Sequence, residues 1–327
     1  MGVWIRAEEI LASPCDEADR AQAMHTFFDE VPSSKRHTHP TWVARTLLVD
    51  MEPKAIWGAL EWGDRADSLW SYSRKRGHIT SGQSGSGNNW ALGYHIHGPR
   101  VAPNVMEATR QMSERCDSLG CILGFNSLAG GTGSGLGSRL WTELRDQFPE
   151  VSLVGCVVWP HRTGEVPVQN FNATLSLAHS LDSCDALWCA HNDSLHEAAS
   201  LLCQGHEQGS SSSASSRPSR PPRPSPSPAS TSKAVSATKS PHLWHLNSVL
   251  ARQLCASTLL PCWLDPRTSD GALQTCAGVD FAHLLCAELC CSPQHKLLSS
   301  YIFPTAAADH HREFESQPWH GLARQAT

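Results

Sequence analysis

The residues best suited to chemistry are Gly130-Gly131-Thr132-Gly133-Ser134-Gly135, continued by Leu136-Gly137. Glycines let a backbone come close to phosphate oxygens, and the hydroxyls of Thr132 and Ser134 add donors. What flanks the loop decides whether it can hold an anion. Before it, Cys121 to Leu128 is an apolar run that reads as a strand. After it, Leu136, Leu140, Leu144 and Phe148 fall four apart on one helical stripe, which Pro149 stops. A loop between a strand's end and a helix's start meets an anion with backbone N–H groups and the positive end of the helix dipole. Two rival motifs fail. A Walker loop needs a Lys after its final Gly, and in a G-x-G-x-x-G fingerprint the third glycine falls on Leu136, Ser138 or Leu140. A flexible Gly/Ser linker is the plain alternative, and the flanking strand and stripe argue against it.

The elements around this loop alternate. Leu47-Leu48-Val49 is a short strand, followed after Glu52 by a helix that Pro53 marks. Val151 to Trp159 reads as a strand, Asn172 to Leu181 as a helix, Asp185 to Ala190 as a strand and Asp193 to Leu202 as a helix. Repeated strand and helix units predict an α/β fold with a mainly parallel sheet flanked by helices, with ligands at the carboxyl ends of the strands. From Gly209 to Pro241 the chain is nearly all Ser, Pro, Ala, Arg, Lys and Thr, with no acidic residue, so it cannot form a core. It is read as a disordered Ser/Pro/Arg insertion: a solvated loop, or more sharply a phosphorylatable or partner-binding segment.

Bulk composition sets the outer limits. The 327 residues are 40% hydrophobic and 17% charged, ordinary for a globular chain and long enough for one large domain and part of a second. A net charge of -5 and a pI near 6.4 give no overall basic field, so nucleic acid is not an expected partner. Membrane insertion is not expected either, because there is no apolar run of membrane-spanning length and Glu8 and Glu9 sit where a signal peptide needs an apolar core. Arg6 stands where myristoylation wants Ser or Thr. The 13 cysteines form no C-x-x-C pair, which predicts reduced thiols. His283, Cys286 and Cys290 share one helical face at metal-ligand spacing, but a structural zinc needs a fourth ligand and cysteine is also a common buried small hydrophobe. His95-Ile96-His97 takes the same discount.

With these motifs in place, Ala129 to Gly137, AGGTGSGLG, resembles the signature loop with which the tubulin family wraps the phosphates of GTP. Further loops follow the family's order. Asp50-Met51-Glu52-Pro53 is similar to the D-x-E-P loop near the magnesium ion, and Gly85 to Trp90 to the loop whose asparagine, here Asn88, reaches the terminal phosphate. Val168-Gln169-Asn170-Phe171-Asn172 corresponds to the ribose-facing loop, and Asn192 and Asn247 to the two asparagines that read guanine. The resemblance thus implies a tubulin-type nucleotide domain binding GTP/GDP through Asn88, Ala129, Gly130, Gly131, Thr132, Gly133, Ser134, Gly135, Gln169, Asn172, Asn192 and Asn247. It gives Glu52, helped by Asp50, the role of Mg²⁺ ligand. The chemistry agrees: an asparagine donates and accepts at once, so two can satisfy a guanine edge that adenine would leave partly unmet. Asp50 and Glu52 alone would read equally well as a helix cap.

Val49 to Lys54, His97-Gly98-Pro99-Arg100 and Thr163 to Val166 look like the delta branch of that family. That implies a cytoskeletal, microtubule-related protein of the cytoplasm, centrioles, basal bodies and cilia, with the nucleus a further compartment. Other tubulins or centriolar proteins would be its partners. The resemblance runs from about Asp19 to Pro304 and departs at named points. The chain opens MGVWIRAEEILASPCDEADR where tubulins have a strand and a Q-x-G-Q-x-G-N-Q loop, so residues 1–257 are expected to form a nucleotide domain short of its first strand. Residues 258–327 are expected to hold the start of a second α/β domain and a tail. Leu243 stands where an aromatic stacks on guanine, and no acidic residue follows the 270–274 loop until Asp280, so hydrolysis is expected only with a partner subunit. The competing reading is an incomplete tubulin-like interaction protein with weak or no nucleotide binding.

Overall fold

The computed structural model describes residues 25, 27–31, 41–63, 70–164, 167–200, 243–258, 262–264, 273–275 and 285–300. Three short strands come first, β1 (Phe28–Val31), β2 (Thr41–Ala44) and β3 (Leu48–Asp50). Pro53 starts helix α1 (Pro53–Gly63): its ring presets a helical φ, and the N–H it lacks would have no partner in a first turn. Strands β4 (Trp70–Tyr72) and β5 (Ile79–Ser81) follow. A wide helical turn, Leu92–His97, runs directly into α2 (Gly98–Ser113). Strand β6 (Cys121–Ser127) leads to a second wide turn, Gly131–Leu136, continuous with α3 (Gly137–Gln147). Then come β7 (Ser152–Trp159), α4 (Gln169–Ser183), β8 (Ala186–His191) and α5 (192–200). Helix α6 (Leu243–Thr258), strands β9 (Cys262–Leu264) and β10 (Leu273–Thr275), a third wide turn (Leu285–Leu289) and β11 (Leu297–Leu298) complete the described chain.

The main sheet has the order β11-β8-β7-β6 and every pair in it is parallel. This is the expected α/β architecture, and its strands are near-continuous apolar runs because both faces are covered. On one face α2, α3 and α4 pack through Val101, Val105, Leu136, Trp141, Leu144 and Ala173 onto Leu153, Val157 and Leu187. On the other, Val154, Cys156 and Trp188 meet Leu254 of α6 and Leu285. The stripe read from sequence is the buried face of α3: Leu136 and Leu144 are buried, with Leu140 and Phe148 against the same core. Strand β11, beyond the domain border drawn at residue 257, extends the main sheet beside β8. The 209–241 insertion lies outside the described residues.

Gly124 and Gly155 face each other in register on β6 and β7, and together they admit the Trp141 indole. A Cβ at Gly124 would lie 2.5 Å from the ring, so α3 can sit low on the sheet only because this pair has no side chains. A separate parallel pair, β3-β5, shares the same core through Val49 and Met51. Among the described residues no strand joins β3 to β6, so the two pieces are connected by packing rather than by ladder hydrogen bonds. A small mixed sheet, β1-β2-β4, packs separately around Phe28, Trp70 and Tyr72.

Candidate nucleotide site

The glycine segment turns helical earlier than its composition suggests. Gly130 is extended (φ -80°, ψ 170°) and the wide turn begins at Gly131, so the N–H groups of Gly131, Thr132 and Gly133 open a helix and have no carbonyl one turn back to accept them. Gly133 lies over the end of β6, where a Cβ would come within 2.8 Å of the Ser127 backbone. Ser134 does not offer the free hydroxyl expected of it. It is 0% exposed, and both its N–H and its O–H bond to the Gly130 carbonyl. Thr132 is half-buried and shares a hydrogen with Ser86 at 3.1 Å, leaving one of the two hydroxyl protons for an outside acceptor.

That Ser86 contact belongs to a second loop, residues 82–89, which closes against the first. Gly85, Gly87 and Asn88 have φ of 60°, 52° and 50°, the left-handed region in which glycine and asparagine are least strained. The fit beyond it is made backbone to backbone. A Cβ at Gly131 would lie 2.6 Å from the Ser86 carbonyl oxygen, one at Gly135 2.9 Å from the Trp90 carbonyl carbon, and one at Gly93 2.8 Å from the Leu136 nitrogen. His97 holds the loop from below, with a ring nitrogen 3.2 Å from the Gly85 carbonyl. The Asn88 side chain points along the gap, its Oδ1 3.9 Å from where a Cβ of Gly130 would be.

Asn172, near the start of α4, ties the two loops together. Its Nδ2 donates to the Asn88 carbonyl at 2.7 Å and the Ala129 carbonyl at 2.8 Å, while its Oδ1 accepts from the Trp90 N–H at 3.1 Å. With 4% exposure it is a buried bracket between loops. Gln169 is also buried and donates to the His161 carbonyl at 3.0 Å, with Gly164 directly against its amide. Glu52 is exposed and its carboxylate lies over Gly85, 2.9 Å from a Cβ placed there. Asp50 accepts the Glu52 N–H at 3.1 Å, which forms the turn into α1 and leaves its second oxygen open. A carboxylate beside glycine-lined N–H groups and an amide is a donor set that fits a phosphate chain with a hard cation, since Mg²⁺ takes few protein carboxylates and relies on phosphate and water for the rest.

Farther along the strand ends, Asn192 is half-buried at the start of α5 and Asn247 is half-buried on α6. Their elements are neighbours: Leu195 and Ala199 pack against Leu246 and Val249. Leu243, in the stacking position, is 72% exposed. Asp193 accepts from His161 at 2.7 Å and from the Arg162 N–H at 3.2 Å, fixing the 160–164 loop to α5. The His161 hydrogen bond, and then that of Arg162, hold the Asp193 carboxyl below its usual range.

Sequence reasoning missed Asn126. It accepts from the Trp141 indole at 3.2 Å and donates to the Gly133 carbonyl at 3.1 Å, coupling strand, glycine turn and α3. Its signal was one amide inside an apolar strand. Among the described residues no group of three or more His, Cys, Asp or Glu could hold a metal ion. Cys290 is buried and donates to the Lys296 carbonyl, His95 packs on Trp90 and Tyr94, and His283 lies outside the described residues.

A profile of the Tubulin/FtsZ family, GTPase domain, matches residues 5–200. The chain belongs to the tubulin family. Among curated relatives, the tubulin delta chain of Homo sapiens is 39% identical over 188 residues, 57% of this chain and 39% of that protein. The tubulin delta chain of Canis lupus familiaris is 38% identical over 187 residues, with the same two shares. The tubulin beta-1 chain of Colletotrichum graminicola is 32% identical over 182 residues, 55% of this chain and 38% of that one. This tubulin-family chain is thus more similar to those delta chains than to that beta chain, and it spans about two fifths of the length of these relatives. In it the glycine turn follows the strand β6 and opens α3, as expected for the family's α/β fold.

Proposed function

We propose that this chain binds GTP or GDP with Mg²⁺ and acts as a delta-tubulin-like component of the microtubule cytoskeleton, at centrioles, basal bodies and cilia, with other tubulins or centriolar proteins as partners. The observation that carries the reading is the closed pair of loops. Residues 85–89 and 129–133 are bracketed by Asn172, with the Glu52 carboxylate over Gly85 and the Asn88 amide beside Gly130. The N–H groups and Thr132 would bind phosphate, Glu52 and the open oxygen of Asp50 would hold the cation, and Asn192 and Asn247 would read the guanine edge. Bound Mg²⁺ would supply charge neutralisation at the phosphates. Within this assignment no side chain activates a water, so hydrolysis would need a group from a neighbouring subunit.

Thermal unfolding with Mg-GTP and with Mg-ATP tests the reading. Mg-GTP is expected to raise the midpoint and Mg-ATP to leave it near that of the free protein, and Asn192→Asp should abolish the GTP response, because a carboxylate cannot donate to the guanine carbonyl. A second reading, a tubulin-like interaction protein without nucleotide, is favoured by one feature: the exposed Leu243 offers no ring to stack on a base. Equal midpoints with and without millimolar GTP would establish that reading and refute the first.

A further inference from the structure

Away from the nucleotide loops, a cleft of about 850 Å³ opens between the small sheet and the end of α2. Its walls carry Arg45 from the segment after β2, Arg74 and Lys75 from the β4-β5 turn, and Arg115 from just beyond α2. Arg76 is exposed next to them on the same turn. On a chain of net charge -5 this is a local reversal of sign. Part of the charge is balanced internally. Arg45 and Arg115 both bind Asp29, at 2.7 Å each, so two guanidinium groups share one carboxylate. Their uncompensated charge adds to that of Lys75 and Arg76, which have no acidic partner among the described residues.

A neighbouring group reports the sign of the field. His78 is 4% exposed beneath the turn and its Nδ1 is buried without a hydrogen-bond partner. Burial first, then Arg115 and Lys75, lower its pKa, and Asp29 opposes them.

We propose that this cleft docks an acidic peptide segment, rich in glutamate or aspartate, contributed by a partner protein. Asp29, held between Arg45 and Arg115, is one carboxylate shared by two guanidinium groups, which leaves N–H donors on both for a second. The cleft is larger than a single small anion requires. Tyr72 in its wall is buried in the small sheet's core with Trp70, so neither gives nucleic-acid bases a stacking surface. Ser71 and Ser73 add hydroxyls to the wall, Ser73 accepting from the Lys75 N–H and keeping its proton for a ligand.

The test is fluorescence anisotropy of the full chain with a labelled peptide of about ten glutamates, compared with oligouridine RNA of similar charge and with phosphatidylserine vesicles. Binding should weaken steeply with salt, as exposed charge pairs do. Lys75→Glu with Arg76→Glu should weaken it by about tenfold or more, while the charge-matched pair Arg100→Glu with Arg162→Glu stays within about twofold of the parent. Because Lys75 and Arg76 are exposed turn residues, the thermal midpoint should not change. Peptide binding should also raise the titration midpoint of His78 in a histidine NMR titration, an effect that binding elsewhere would not produce. Equal loss in both reversed pairs, an unmoved His78, or tighter binding of RNA or vesicles than of peptide would overturn the proposal.

Discussion

Asn172→Ala tests the bracket directly. The substitution removes two donors and one acceptor and leaves the Asn88 and Ala129 carbonyls and the Trp90 N–H without that partner in a site where Asn172 itself is 4% exposed. A buried polar group deprived of its partner costs about 1–3 kcal/mol. Asn88 is exposed, so water can satisfy its carbonyl, and the remaining two groups put the loss at about 2–6 kcal/mol. For a domain of this size that lowers the midpoint by roughly 4–24 °C. Asn172→Asp should be at least as damaging: it keeps an acceptor for Trp90 but turns an oxygen toward two carbonyls and buries a charge. The assay is denaturant unfolding of the nucleotide-free protein. A loss of less than about 0.5 kcal/mol for Asn172→Ala, with nucleotide affinity alone reduced, would refute the bracket and make Asn172 a ligand contact only.

Gly93→Ala should be destabilising by about 3 kcal/mol or more and remove any nucleotide response, since its Cβ meets backbone atoms that cannot move aside; Gly58→Ala, with nothing within 4 Å, is the control, and both are read by thermal unfolding. Because the Asp193 carboxyl is held below its usual range, its contribution is present above the ordinary carboxylate pKa of about 4 and is lost as pH falls through the lowered value. Asp193→Asn should therefore differ from the parent at neutral pH and converge with it in strong acid, followed by stability measured against pH. Burial pushes the Cys156 thiol up to about 12 and the Cys189 thiol to about 11, so peptide mapping after alkylation at neutral pH should show exposed Cys291 labelled in the folded protein and these two only after unfolding.

Periodicity and turn chemistry made the main sheet and its helices legible. The apolar run before the glycines, the four-residue stripe of α3 and the Pro53 start all correspond to observed elements, with edges displaced by a few residues. The composition of AGGTGSGLG marked the turn between β6 and α3, but offered the Ser134 hydroxyl as a donor because a hydroxyl in a glycine loop looks free; in the structure the wide turn directs it back to Gly130. Three glycine roles were illegible for a related reason. Gly93, Gly131 and Gly135 are required by a crossing of two wide turns that are far apart in sequence, and no local pattern encodes which backbone a missing side chain must admit. Asn126 and Asn172 belong to the same class, since each acts on loops brought near by tertiary folding.

The absence, among the described residues, of a strand pairing β3 to β6 changes what those amides do. In a continuous parallel sheet, ladder hydrogen bonds fix the relative height of neighbouring strands and hence of the loops at their carboxyl ends. Here Glu52 and the 82–89 loop follow β3 and β5, whereas the glycine turn follows β6. Their alignment rests on the shared apolar core, whose attraction is non-directional, and on the directional links from Asn172, Thr132 and the glycine contacts. Among the described residues β6 is the last strand of the main sheet, with Phe125 on it 50% exposed, and an added strand could pair there. Supplying such a strand should therefore reduce the cost of Asn172→Ala below the value expected for the chain alone, because ladder bonds would then hold the two loops in register. An unchanged cost would place all of the alignment in the side-chain links.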